Sequence, residues 1–149
     1  QTTIIALRYS FSSMSRSKTY LCLDIGEART GIAVADDAVR IPLPFETFVM
    51  SSGSLRAEVA RLVAAHDVGT IVVGYPRNQS GEPTAQTQFV EKQAALLRDI
   101  DAKIVFHDES LSSVDAERRL KNRGKPYSKA DIDAEAACVI LQSYLEAKK

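Results

Sequence analysis

The sequence predicts a mixed α/β fold, with five strands in one sheet and helices on both faces. Three observations predict it. The chain has 149 residues, enough for one domain around one substantial core. Its first half holds three strand-like segments joined too closely for helical crossovers, so they should pair antiparallel. Its second half alternates strand-like and helical segments, which implies parallel pairing with the helices packed over the sheet.

Taken in order, residues 20–25 read as a strand and residues 31–36, "GIAVAD", as a second, with a turn at 26–30. "FETFVM" (45–50) reads as a third, after a proline-bounded loop. "SLRAEVARLVAAHD" has helical period, with Leu55, Val59, Leu62 and Val63 on one side. "TIVVGY" (70–75) has the composition of a fully buried strand, and "PRNQSGEP" (76–83) that of a loop. A helix is expected from Thr84 through "TAQTQFVEKQAALLRDI", then a strand at 103–109 that ends in two acids. "SLSSVDAERRLKNRG" reads as a helix stopped by Gly124, and a last helix spans about residues 128–145.

Composition is that of an ordinary globular protein, at 45% hydrophobic and 26% charged residues. The 19 basic and 19 acidic residues cancel, so net charge points to no particular partner, although a local basic patch is compatible with a zero sum. No apolar run has the length to span a bilayer, and a cytoplasmic protein without membrane association is expected. Cys22 and Cys138 lie in apolar segments without metal-ligand spacing. They read as two small buried hydrophobes. Residues 1–19 read as an N-terminal extension, with Met14 as a candidate native start, ahead of a single domain at 20–149.

Three carboxylates stand out. Asp24 interrupts the apolar run "LCLDI", and a buried carboxylate is costly unless it is compensated. Glu109 ends the last strand, and sites in open α/β sheets form at the carboxyl ends of strands. Asp133 shares a helical face with Ala136, Ala137, Ile140 and Tyr144, so it points into the protein. Asp131 lies instead with Glu135, Cys138 and Gln142 on a mostly polar face, and "SKAD" explains it as a capping box. A divalent cation would compensate the three acids, because Mg²⁺ and Mn²⁺ prefer oxygen ligands. Two such ions, roughly 3.5–4 Å apart, serve phosphodiester hydrolysis. Spacing alone leaves a second account open: Asp24 capping the turn at Gly26, Glu109 in solvent, and Asp133 paired with an arginine.

These segments resemble the YqgF (RuvX) family. "LCLDIGEARTGIAVAD" is similar to the family's opening Leu-x-Leu-Asp-x-Gly-x-x-Arg-x-Gly-x-Ala motif. "VVGYPRNQSGEPTAQTQFVEKQAALL" is similar to its Val-Gly-x-Pro loop and helix. "VFHDESLSSVDAERRL" and "DAEAACVILQSYL" are similar to its Asp-Glu-x-x-Thr-Thr and Asp-x-x-Ala-Ala-x-x-Leu segments. The resemblance covers most of residues 21–145. It implies an RNase H-like fold, catalytic and metal-binding roles for Asp24, Glu109 and Asp133, and a nuclease that uses two Mg²⁺ or Mn²⁺ ions. Precursor 16S ribosomal RNA is the first expected substrate. A four-way DNA junction, cut by a dimer, is the alternative, followed by a non-catalytic RNA-binding assembly factor. A monomer or a homodimer fits these readings. A nucleotide-binding domain of the actin type is disfavoured, because it needs two domains. The sequence departs from the family at Ser110, where many members have arginine, and at Ser112 and Ser113, where they have threonine.

Further residues are candidates for substrate binding. Arg29 matches the family's arginine and is suited to phosphate; a surface ion pair is its other reading. Asn78 and Gly81 lie in the loop after the fourth strand. Ser112 keeps the hydroxyl of the family's threonine, and with Asp115 it also fits a helix cap. Arg118, Arg119 and Arg123 belong to the dense basic run 118–129, read as tracking the phosphate backbone. His66 and His107 show no ligand spacing.

Overall fold

The structure is a computed structural model and describes residues 19–76, 82–109 and 112–148. Met14, Asn78, Gly81 and Ser110 lie outside the described residues. Six strands form one sheet: β1 (Thr19–Ile25), β2 (Arg29–Asp36), β3 (Leu43–Pro44), β4 (Phe48–Val49), β5 (Thr70–Pro76) and β6 (Lys103–Glu109). The helices are α1 (Leu55–His66), α2 (Ala85–Ala95), α3 (Ser112–Arg123) and α4 (Lys129–Ala147). Spatial order is β3-β2-β1-β5-β6, with β4 also on β2. β1 and β2 are antiparallel, while β1–β5 and β5–β6 are parallel. The expected mixed topology is thus observed.

Two elements differ from expectation. The single third strand at 45–50 is two strands of two residues each, β3 and β4, followed by a 3₁₀ turn at Met50–Ser52. Both pair with β2, so six strands fill five positions. Prolines at 42 and 44 limit pairing there, because proline cannot donate to a ladder. The helix expected to reach residue 100 ends at Ala95. The chain then tightens, with Leu96, Leu97 and Arg98 donating three residues back instead of four. That turn buries Leu97 and Ile100.

Alternation along the strands sorts the core into two layers. Leu21, Leu23, Ile25, Ile71 and Val73 face α1 and α2. Tyr20, Cys22, Ala33 and Val72 face α4. α3 packs on the outer side of α4, so α4 is enclosed between the sheet and α3. That explains its nearly continuous buried run from Ala134 to Cys138.

Candidate active site

Asp24 belongs to the α4 side of the sheet, two residues beyond Cys22. On that face three strands present a row at the same level. Asp24 pairs in register with Gly31 of β2. On the other side of β1, Leu23 pairs with Val73, which brings Gly74 level with Asp24. Gly74 in turn pairs with His107 of β6, two residues before Glu109.

Two glycines make this row concave. A Cβ on Gly31 would lie 1.9 Å from the backbone oxygen of Asp133. Only a residue without a side chain lets the start of α4 rest on β2 opposite Asp24. A Cβ on Gly74 would meet Ile140 Cδ1 at 2.8 Å and Glu109 Cγ at 3.4 Å. Its absence leaves the gap across which Asp24 and Glu109 face each other. Gly26 closes the turn beyond Asp24, donating its N–H to the Arg29 carbonyl at 3.0 Å.

The electrostatics follow from the geometry. The Asp24 carboxyl is pushed up to about 7, first by burial and then by the charges of Glu109 and Asp133. The three acids proposed from the sequence therefore share one field. Glu109 is only partly exposed, and its Oε2 atom is buried without a hydrogen-bond partner among the described residues. Asp133 is compensated: Arg29 Nε donates to its Oδ2 at 2.5 Å. The arginine pairing that spacing left open for Asp133 is the one observed. Arg29 itself sits in β2, not in the preceding turn, and shares the α4 face with Gly31 and Ala33.

A divalent cation suits this donor set. The carboxylates are hard oxygen ligands, one has an oxygen orphaned among the described residues, and Asp24 is pushed up to about 7, first by burial and then by its neighbours' charges. The acids are nonetheless not drawn into a finished cage, since no three potential ligands converge among the described residues.

The remaining candidates are distributed unevenly. Ser112 is the first residue of α3 and is buried. Arg118 is exposed and pairs with Asp115 at 3.3 Å. Arg119 and Arg123 pair with Glu135 Oε2 at 3.4 and 3.1 Å, and Arg119 also donates to Gln142. These two arginines join α3 to α4. Lys121, Lys125 and Lys129 are exposed along the same run. Asp131 caps α4 through the reciprocal box with Ser128. His107 shares a 2.9 Å hydrogen bond with Ser143 of α4, and His66 stacks on Phe45.

Sequence reasoning missed Glu135, which is 3% exposed. It had been assigned to a polar face, and that face is the one α3 covers. The available signal was arginines on α3 able to meet an acid on α4. The two cysteines are buried and free as expected. Burial raises the Cys22 thiol well above its usual range and pushes Cys138 up to about 12, so neither is a nucleophile at neutral pH.

A mixed sheet with its second strand antiparallel, an aspartate inside the first strand and acids from the last strand and last helix beside it define an RNase H-like protein with a carboxylate site. Thermus thermophilus RuvC, solved with a Holliday junction substrate, superposes with a TM-score of 0.58 at 14% identity, covering 88% of this chain and 95% of that one. The fowlpox virus Holliday junction resolvase gives 0.50 at 14% identity, over 87% and 99%. The chain belongs to the RuvX family, described as Holliday junction resolvase, whose profile matches residues 18–147. A Chloroflexus aggregans relative named "Putative pre-16S rRNA nuclease" is 40% identical over 89% of this chain and 96% of its own length. A Synechocystis protein of the same name is 36% identical over 91% and 92%. Among the described residues no helix is long and apolar enough to cross a membrane.

Proposed function

We propose that this protein is a divalent-metal-dependent nuclease acting in the cytoplasm on precursor ribosomal RNA, with Asp24, Glu109 and Asp133 as its metal-binding and catalytic acids. The observation that carries the reading is the pair of acids at the strand ends, Asp24 and Glu109. Asp24 is forced toward neutrality beside a Glu109 oxygen that has no partner among the described residues. A fold that needed these acids only for packing would gain by losing them. Mg²⁺ or Mn²⁺ bound there, as one ion or two, would supply an activated water and charge stabilisation for the departing oxygen. Within the protein, Asp24 and Glu109 fix the ligand geometry from rigid strands. Gly26 and Gly74 leave room beside them, and Arg29 is in reach to hold a phosphate oxygen. Asn78 and Ser112 are assigned to the substrate groove on family grounds. Exposed Arg118, with Arg119 and Arg123 behind it, would position the backbone and carry little sequence information.

The names of the relatives support the RNA substrate. The family description favours a second reading, a four-way DNA junction cut by a symmetric dimer. A cleavage panel separates them: single-stranded RNA, structured precursor RNA and a four-way junction, each with Mg²⁺ and with Mn²⁺. Precursor RNA should be cut by the wild type, and Asp24→Asn should lower the rate by about 100-fold or more. Cleavage of the junction alone would favour the second reading. An Asp24→Asn protein that cuts as fast as wild type would refute the site assignment.

A further inference from the structure

Among the described residues, Arg29 is the arginine bound to one of the three acids. Its Nε donates to Asp133 Oδ2 at 2.5 Å, across 104 positions of sequence. The contact is built by two separate features. Arg29 lies on the α4 face of β2, and Gly31, two residues on, admits the Asp133 backbone to the sheet. Among the described residues, Arg29 has a hydrogen bond and ion pair with Asp133 and none with Asp24. The pair is also accessible, at 35% exposure for the arginine side chain and 24% for the aspartate. Water and ions can therefore reach it, and the pair can open without unpacking the core. Glu135 shows the contrast: it is sealed at 4% side-chain exposure under two arginines.

The guanidinium occupies Asp133 Oδ2, an oxygen that a cation at the three acids would use. We infer that Arg29 is a displaceable stand-in for the divalent ion at Asp133: ion binding breaks the Arg29–Asp133 pair, and the released guanidinium becomes free to take a phosphate oxygen of the substrate. The inference rests on the metal reading above and deepens it. It makes ion and substrate binding sequential, because the arginine that meets the phosphate is released by the ion. It also defines Arg29 as a positioning residue for Asp133 before it meets any substrate.

The test is Mn²⁺ titration by calorimetry on wild type, Arg29→Gln and Arg29→Lys, without nucleic acid. It is joined to NMR observation of the Arg29 Nε–H signal of the wild type during Mg²⁺ titration. Removing the competitor should tighten Mn²⁺ binding roughly three- to tenfold in Arg29→Gln. Arg29→Lys, which keeps the charge without the guanidinium fork, should fall between the two. In wild type, the Nε–H signal should shift as Mg²⁺ fills the site. Equal or weaker Mn²⁺ binding in Arg29→Gln, or an Nε–H signal indifferent to Mg²⁺ while the ion binds, overturns the exchange and leaves the metal site standing. If neither ion binds the wild type, the metal reading itself fails, and this inference with it. The NMR arm needs no variant, so a poorly folding Arg29→Gln does not protect the proposal.

Discussion

Two acids, the buried Glu135 and the half-buried Glu109, receive opposite treatment in this fold. Glu135 lies between α3 and α4 and accepts from Arg119 and Arg123. Glu109 lies at the end of β6 and has an oxygen with no partner among the described residues, next to an aspartate raised to about 7. The chain therefore compensates a buried carboxylate with its own arginines at Glu135, while for Glu109 Oε2 none of the described residues does so. The difference teaches where to look for function. A satisfied acid holds two helices together, whereas an orphaned carboxylate oxygen beside a second acid carries a cost that a ligand can relieve.

Removing charge should accordingly have opposite signs at the two places. Exchanging both arginines in Arg119→Ala/Arg123→Ala would strand Glu135 in the interior and cost about 3 kcal/mol in urea unfolding. Glu135→Gln should cost less, about 1–2 kcal/mol, since the arginines left behind are 40% and 54% exposed and can hydrate. Neither change should alter Mn²⁺ affinity. A loss of ion binding in these variants would break the distinction between the two regions.

Asp24→Asn should instead stabilise the metal-free protein, and the gain should depend on pH. The native carboxyl, at about 7, holds its proton more tightly than the unfolded chain does. Its stabilising contribution is present at low pH and is lost as pH rises through about 7. The stability difference between Asp24→Asn and wild type should thus be near zero at about pH 4 and on the order of 2 kcal/mol above pH 7. Thermal melts in a metal-free buffer series measure it. A difference that is flat with pH would mean that Asp24 is not held near neutrality. The smallest expected effect belongs to exposed Arg118. Arg118→Ala should weaken RNA binding by about twofold and reduce the salt dependence by about one ion, with stability unchanged.

Much of the fold was legible because its signals are local. The strand at 103–109 was bounded correctly, and α1 was recognised from Leu55, Val59, Leu62 and Val63, all of which are buried. Capping chemistry marked the start of α4, where the Ser128–Asp131 box is present. The 45–50 segment was misread because its apolar residues say nothing about how much of β2 remains available for pairing. Glu135 was misread for a related reason. A helical wheel shows which residues share a face, and only a neighbouring helix decides whether that face meets water.

The sequence by itself determined the order of elements, the inward direction of Asp133 and the anomaly of Asp24, since periodicity and burial cost are properties of the chain. The tertiary structure alone decided which groups meet. It brought Gly31 under Asp133 and Gly74 between Asp24 and Glu109, and it gave Arg29 to Asp133 and left Glu109 Oε2 without a partner among the described residues. Those pairings span up to 104 positions and depend on strand register and helix seating. They are distances of ångströms that no local pattern encodes.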